Sequence, residues 1–451
     1  MDFEQVLKEI KPTPEEKRFL MSLFEEIKAR IKERFGREAM LMGSVAKDTF
    51  LRGEGDLDIF VFFDPDEGRE TLEREGMEIG KFVFESFGER FIISYAEHPY
   101  VKGKIKGVDV EIVPAFKIKE GERIISAVDR TPFHTKYIKE KLKDEKMRDE
   151  VRLLKKFLKV IKCYGSDLKT QGFSGYLCEL LIVKYRSFLG CITNAAKWRK
   201  GEIVVVEESS FDKEALEELK KEKKPLIVID PVDPKRNVAS ALSLENFSNF
   251  VFASRVFLEK KSTDIFFLSE FIEKKIPVGR NVYAVCFERP DVVEDILYPQ
   301  LRRLKKNVVN ALKHNNFTVL DAWVFGDSEA GIGIEVEPCK LARKYPRKGP
   351  SIFSSKSRIE GFLKKYRNSR MWIRDEFIYA EAERKFRDVE SLLHHIFSGE
   401  SKEELSAKGI PKHLSEAVLK GYKVLKGKEL KSVKSKEFWE KCNKNFVSKI
   451  I

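Results

Sequence analysis

The chain has 451 residues, 42% hydrophobic and 11% aromatic with 35 Phe, which supplies enough apolar side chain for packed cores and excludes global disorder; its length suggests about three domains. The 86 Lys and Arg against 73 Asp and Glu give a net charge of +13, a surplus expected of a protein that meets a polyanion, although a composition that is 35% charged also suits ion-pair networks at high temperature. With no apolar run of about 18 residues and no charged-then-apolar leader, neither a membrane span nor a signal peptide is expected and the address is the cytoplasm. The six scattered cysteines contain no C-x-x-C pair, so reduced, buried thiols are expected rather than a disulfide framework or a zinc site.

In chain order, Thr13-Pro14-Glu15-Glu16 predicts a helix start, with Thr13 as N-cap, Pro14 in the first turn and Glu16 closing a capping box. Leu20, Leu23, Phe24, Ile27 and Ile31 then recur at helical spacing up to Gly36. A short apolar run, Ala39 to Met42, leads into Gly43-Ser44, and the segment Asp56 to Phe63 begins with the alternation of a strand. Arg69 to Phe87 has a helical pattern; Phe91 to Tyr95 and Lys104 to Val113 predict two further strands. A small mixed sheet backed by helices accounts for this part.

From Asp149 the pattern turns helical, with Val151, Leu154, Leu158 and Ile161 on one stripe, followed by an apolar helical segment from Phe173 to Leu189. Lys200 to Glu222 predicts a loop and an exposed helix, Pro225 to Pro231 an extended insert, and Asn237 to Leu258 another helix. After Lys275 come a strand (Asn281 to Phe287), a long helix (Val293 to His314) and two strands (Phe317 to Phe325, Gly331 to Glu337), a β-α-β-β unit of the kind that can face RNA. The remainder, rich in Lys, Arg and aromatics, predicts helices with a basic outer face.

The residues that point to chemistry are Gly43-Ser44, Asp56-x-Asp58 at a strand start, and Val108 to Pro114 with its own acidic residues on a later strand. Side chains at i and i+2 of a strand face the same way, so Asp56 and Asp58 converge. Carboxylates held this close raise each other's pKa unless a cation lies between them, and Mg²⁺, a hard ion with a preference for carboxylate and phosphate oxygens, is the natural occupant. A third carboxylate from the neighbouring strand would complete a two-ion site for phosphoryl transfer, with the Gly-Ser turn offering donors to a triphosphate.

These residues resemble the DNA polymerase β-like nucleotidyltransferase superfamily. Further blocks, Arg130 to His134 (RTPFH), Gly172 to Leu181 (GFSGYLCELL), Asp233 to Ala239 (DPKRNVA) and Leu297 to Leu301 (LYPQL), are similar to segments of the archaeal, class I CCA-adding tRNA nucleotidyltransferases, and the resemblance runs from about Gly43 to Leu301. It implies template-free addition of C, C and A to the 3′ end of tRNA from CTP and ATP with Mg²⁺. It also implies an α+β multidomain fold: a small mixed-sheet nucleotidyltransferase head over 1–138, a mostly helical central nucleotide- and tRNA-binding domain over 139–275 and an α+β tRNA-binding C-terminal region over 276–451. Membrane contact is not expected, and a homodimer is left open.

Position by position, the resemblance places Asp56 and Asp58 on the family's metal-binding pair and Ser44 on its phosphate-binding serine. Lys47 stands where the family often has Arg, which keeps a phosphate contact, and Asp48 where it often has Asn. His134, Lys155 and Tyr164 fall on nucleotide-binding positions and Arg236 on an arginine that helps read the incoming base. The third carboxylate departs from the pattern: counted back from Pro114, the family's aspartate falls on Glu111, with Asp109 two residues earlier on the same strand face. Glu111 is the favoured catalytic residue and metal ligand, and Asp109 remains the alternative ligand. Basic residues of the C-terminal part, such as Arg302, Arg303, Arg347, Lys348, Lys364 and Lys365, would grip tRNA by charge and shape. The competing expectations are a poly(A) polymerase or an oligoadenylate synthetase-like enzyme, which would use ATP without CTP, and a non-catalytic RNA-binding protein on the same fold, which would be expected to have lost a carboxylate.

Overall fold

The computed structural model describes every residue apart from 1, 96–97, 119–127, 211, 268–274, 276–277 and 444–451. The chain forms two compact units, Met1–Ser269 and Glu270–Asn445. Of residues 268–277 only 275 is described, so the expected boundary after 275 lies at the edge of the described residues.

The first unit opens with α1 (Glu4–Ile10) and α2 (Pro14–Phe35). Thr13 Oγ1 accepts the Glu16 N–H at 3.1 Å and Gly36, at φ +69°, ends α2 in the left-handed region. The capping box is only half formed, because the Glu16 carboxylate instead accepts the Gly53 N–H at 2.7 Å and so ties the helix to a later loop. Five strands follow, β1 (Ala39–Leu41), β2 (Leu57–Phe63), β3 (Phe91–Tyr95), β4 (Pro99–Ile105) and β5 (Val108–Phe116), in the order β1-β2-β5-β4-β3. The central pair β2 and β5 is parallel and the other pairs antiparallel. The single strand expected over Lys104 to Val113 is a hairpin: Lys106 and Gly107 both take positive φ, +50° and +84°, the geometry of a tight two-residue turn.

Between the strands lie the one-turn helix α3 (Gly43–Ala46) and the longer α4 (Gly68–Ser86). Leu57, Ile59, Val61 and Phe63 of β2 are buried against Ile79, Val83 and Phe84 of α4 and Leu23, Ile27 and Ile31 of α2, and each such side chain contributes about 1.5–3 kcal/mol. Strand alternation then puts Asp58, Phe60 and Phe62 on the opposite face, where Met42, Phe60, Phe62, Val113 and Ala115 make a small apolar cluster. The carboxylates of interest stand on a face with rigid backing.

The helical half of this unit comprises α5 (Thr131–Lys141), α6 (Glu145–Val160), α7 (Gly175–Tyr185), α8 (Phe188–Ala195), α9 (Lys213–Lys221) and α10 (Leu244–Lys260). Its core joins Leu154, Phe157, Leu158, Leu177, Phe188 and Phe250, among others. Three expectations are corrected here. The apolar run from Phe173 is two helices, broken where Arg186 takes φ +68° and Ser187 caps α8. The charged segment after Lys200 contributes β6 (Glu202–Val205), which pairs in parallel with β7 (Leu226–Ile229). The helix expected from Asn237 begins only at Leu244, because Asn237 is spent on the sheet: its Oδ1 accepts the Val228 N–H at 2.9 Å and its Nδ2 donates to Leu226 O at 3.0 Å.

Within the second unit, β8 (Val282–Phe287), α11 (Glu294–His314), β9 (Thr318–Gly326) and β10 (Ala330–Glu337) form the expected β-α-β-β unit. Leu297, Leu301, Leu304 and Val308 of α11 join the core of one sheet face; Phe438 and Trp439 pack with Trp323 and Phe325 in a second cluster. The later basic segment is not all helix. It includes β11 (Lys344–Ser351), α12 (Lys356–Lys365), β12 (Met371–Arg374) and β13 (Phe377–Glu383), strands that form an antiparallel sheet in the order β11-β13-β12, and β14 (Tyr422–Lys426), which extends the first sheet as β14-β8-β10-β9. Charged side chains on the strands hid the alternation, visible in β13 as buried Ile378, Ala380 and Ala382.

Arg152 of α6 is fully buried and holds the sheet half to the helical half: it donates to Phe50 O at 3.0 Å, to Asp48 Oδ1 at 2.6 Å and to Asp149 Oδ1 at 2.6 Å. Arg152→Met should cost about 3 kcal/mol, toward the lower end for a broken buried pair because Lys17 and Arg148 stay with Asp48. Chemical denaturation checks this; a loss under about 1 kcal/mol would show that the arginine is dispensable to the junction.

Candidate active site

Parallel pairing aligns Asp58 of β2 directly with Glu111 of β5, so their side chains share a face, and Asp56 stands just before β2 begins. Gly43, at φ +66°, passes over this face so closely that a Cβ there would lie 1.6 Å from Asp58 Oδ2. Only glycine fits. The Met42 N–H donates to Asp58 O at 2.8 Å and the Thr49 N–H to Ser44 O at 2.9 Å, which fixes the turn carrying Ser44 beside the carboxylates.

Burial first, and the acidic neighbours after it, raise the proton affinities of all three carboxylates. Burial, then Glu111 and Asp56, push Asp58 up to about 7, with Lys47 pulling the other way. Burial, then Asp109 and Glu54, raise Asp56; burial raises Glu111, with Asp56 and Asp109 adding to it and Lys102 opposing. Asp109 itself is 59% exposed and pairs with Lys104 of β4 at 2.6 Å. Among the described residues no three acidic, His or Cys side chains are already drawn together as a metal cage. The donor chemistry nevertheless fits a hard divalent cation, since oxygen donors that repel one another are relieved by positive charge.

The cations of the site come from the turn and from α6. Lys47 Nζ donates to Glu179 Oε2 at 2.6 Å, Thr49 Oγ1 donates to Glu179 Oε1 at 2.6 Å, and Lys155 Nζ donates to Thr49 O at 2.9 Å while standing 3.9 Å from Glu179. Glu179 and Thr49 are fully buried and Lys155 nearly so; burial, only partly offset by Glu179, lowers the Lys155 pKa. Gly175 opens α7 against these groups, and a Cβ there would lie 3.2 Å from the Tyr164 hydroxyl and 3.6 Å from Lys155 Nζ. Tyr164 therefore stands with Lys155.

His134 and Arg236 meet elsewhere, at Asp230. His134 Nε2 lies 3.0 Å and Arg236 Nη1 2.8 Å from Asp230 Oδ2, and the Tyr176 hydroxyl donates to Oδ1 at 3.0 Å. The His134 and Tyr176 rings stack with centroids 4.1 Å apart at 24°, and Lys47 Nζ lies 5.8 Å from the centre of the Tyr176 ring. Burial opposes the Asp230 charge, but the hydrogen bonds from His134 and Arg236 outweigh it and hold the carboxyl at about 2. The reading from sequence passed over Thr49, Tyr176, Glu179 and Asp230. Tyr176 and Glu179 lie inside the GFSGYLCELL block, which was the available signal; nothing local marks Thr49 or Asp230.

Known proteins match the chain along most of its length. The family described as nucleotidyltransferase domain matches residues 24–134, tRNA nucleotidyltransferase second domain 149–267, and CCA-adding enzyme C-terminal domain 278–427. The CCA-adding enzyme of Methanocaldococcus jannaschii is 39% identical over 426 residues, covering 91% of this chain and 93% of the relative. The chain belongs to the CCA-adding tRNA nucleotidyltransferases. The CCA-adding enzymes of Saccharolobus solfataricus (38% identical, 86% of this chain and 90% of the relative) and Methanococcus maripaludis (36%, 88% and 90%) are also similar. A solved RNA terminal U-transferase aligns with 58% of this chain and 94% of its own, at 16% identity and a TM-score of 0.44. No helix among the described residues is long and apolar enough to cross a membrane. Family members work on tRNA and nucleotides with divalent metal ions.

The Asp58 shift makes stability depend on pH and cation. Its carboxyl ionises near 3.9 in an unfolded chain but at about 7 here, so the native state binds the proton more tightly. This contribution to stability is full below about pH 4 and is lost as pH rises through about 7. In metal-free protein, Asp58→Asn should raise the melting temperature at pH 8 relative to wild type and change it less at pH 5. Added Mg²⁺ should stabilise wild type more at pH 8 than at pH 5, a difference that the variant should lack; scanning fluorimetry across pH checks both.

Proposed function

We propose that this chain adds C, C and A without a template to the 3′ end of tRNA, in maturation and repair, taking CTP and ATP and releasing pyrophosphate. The observation that carries the reading is the likeness to CCA-adding enzymes along nine-tenths of the chain, because the carboxylate sheet alone would suit any nucleotidyltransferase. In this reading the head is 1–138, the central domain 139–275 and the tRNA-binding region 276–451, and the protein works in the cytoplasm.

Asp56, Asp58 and Glu111 would hold Mg²⁺, with Glu111 preferred to Asp109 because Asp109 is exposed and already paired with Lys104. Bound there, Mg²⁺ would neutralise triphosphate charge and favour ionisation of the tRNA 3′-hydroxyl. Ser44, Lys47 and Lys155 would bind the triphosphate, Lys47 and Lys155 being kept as a pair by Glu179. Tyr164 would pack on the nucleotide beside Lys155, while His134 and Arg236 read the base together with Tyr176. Selectivity would follow from hydrogen bonds that the wrong base leaves unmade.

The purified protein, given Mg²⁺, CTP, ATP and a tRNA transcript lacking its last three nucleotides, should produce 3′ ends reading CCA on sequencing. Ends carrying A alone would move the chain to another nucleotidyltransferase activity. In the same assay Asp58→Ala should abolish transfer while tRNA affinity stays within about twofold of wild type; parallel loss of both would mean that Asp58 acts through folding.

A further inference from the structure

The buried carboxylate of Asp230, just after β7, has every acceptor site taken. Oδ1 accepts the Tyr176 hydroxyl and the Val232 N–H, both at 3.0 Å, and Oδ2 receives His134 Nε2 at 3.0 Å and Arg236 Nη1 at 2.8 Å. Two oxygens offer about four lone-pair sites, and four donors fill them. The side chains come from α5, from α7 and from the turn after β7, and Asp230 is the group on which all three meet. A fully buried charge is a poor device for stability, since an apolar side chain of similar volume often serves as well.

Two orientations are fixed. A carboxylate only accepts, so the His134 Nε2 that meets Oδ2 carries a proton and the imidazole ring is held edge-on to Asp230. Arg236, with one nitrogen tied to Asp230 and its side chain 36% exposed, presents the rest of its planar fork in a set direction. Cytosine and adenine share a feature that uracil and guanine lack: the ring nitrogen beside the exocyclic group is an acceptor in C (N3) and A (N1), and carries a proton in U and G. A donor held in place opposite that nitrogen accepts both correct bases and leaves both wrong ones with two donors facing each other. A donor free to swing would not discriminate.

Resting on the proposed CCA addition, we infer that Asp230 is a positioning residue for base choice, holding the Arg236 fork, the His134 ring and the Tyr176 ring so that one pocket admits C and A and rejects U and G. Asp230→Asn places an amide donor among the donors it faces. The preference for CTP over UTP, and for ATP over GTP, as ratios of kcat/KM, should fall at least about tenfold, the size of one charged hydrogen bond. Inhibition by inorganic tripolyphosphate, which has no base, should stay within about twofold, because Lys47 and Lys155 are held by Glu179 and not by Asp230. A purely structural role would move both readouts together, and that outcome, or unchanged nucleotide ratios, would overturn the inference. If Asp230→Asn fails to fold, Tyr176→Phe decides: it removes one hydrogen bond to Oδ1 while keeping the ring, and should lower CTP preference about threefold, with an unchanged ratio again counting against the role. Wild-type protein that adds no CCA would sink the proposed function instead, and is read before either variant.

Discussion

The stretch from Met42 to Gly53 is bonded on every side, and the placement of the site's charges depends on it. Met42 is held to β2 through Asp58 O, Arg52 to α1 through Ile10 O, and Gly53 to α2 through Glu16. Arg152 of α6 takes the Phe50 carbonyl and the Asp48 carboxylate, and Glu179 of α7 takes Lys47 and Thr49. Rigid strands thus carry the acids, helices and the turn carry the cations, and one short segment sets the spacing between them. Without that restraint, and without Glu179 at 2.6 Å, Lys47 would be free to settle on the acidic cluster. With it, Lys47 only moderates the Asp58 shift, and repulsion among the acids remains for a bound cation to relieve.

Two buried carboxylates divide the rest of the work. Glu179 gathers ammonium groups and a hydroxyl, whose charge is compact and tolerant of angle; Asp230 gathers a guanidinium, an imidazole and a phenol, whose usefulness depends on the direction of a plane. Tyr176 lies between them, stacked on His134 and within reach of Lys47. Among the described residues the two groups of hydrogen bonds share no partner and meet only where the Lys47 ammonium faces the Tyr176 ring, and within each of them the buried carboxylate is satisfied, the condition under which a buried network is rigid rather than costly.

What could be read from the residues is the part set by local rules. The period of Leu20 to Ile31, the Thr13 cap and the Asp56-x-Asp58 strand start depend on neighbours a few positions away, and the helix of Pro14–Phe35 and the strand Leu57–Phe63 follow them. The hairpin at Lys106-Gly107 had a turn signal in its glycine, but unbroken alternation on both sides concealed it. The strands Lys344–Ser351 and Phe377–Glu383 were hidden by charge: Lys344 pairs with Glu381 and Arg343 with Glu383 across the sheet, so residues that look like a solvated helix face are cross-strand ion pairs.

The site was legible to the same degree and for the same reason. Asp56 and Asp58 stand two apart at a strand start, a spacing that implies their convergence, and Ser44 and Glu111 were reached through the resemblance of their short motifs, whereas the groups around them act over long separations: Lys47 meets Glu179 across 132 positions, Arg152 meets Asp48 across 104 and His134 meets Asp230 across 96. A buried partner leaves no periodicity, since any position that reaches the interior can supply it. Asp230 shows this most sharply. In the chain it is an aspartate between two β-branched residues and a proline, indistinguishable from a turn residue after a strand. In the fold it is inaccessible to solvent and saturated with donors, and only the three-dimensional meeting of α5, α7 and the turn after β7 gives it partners to orient.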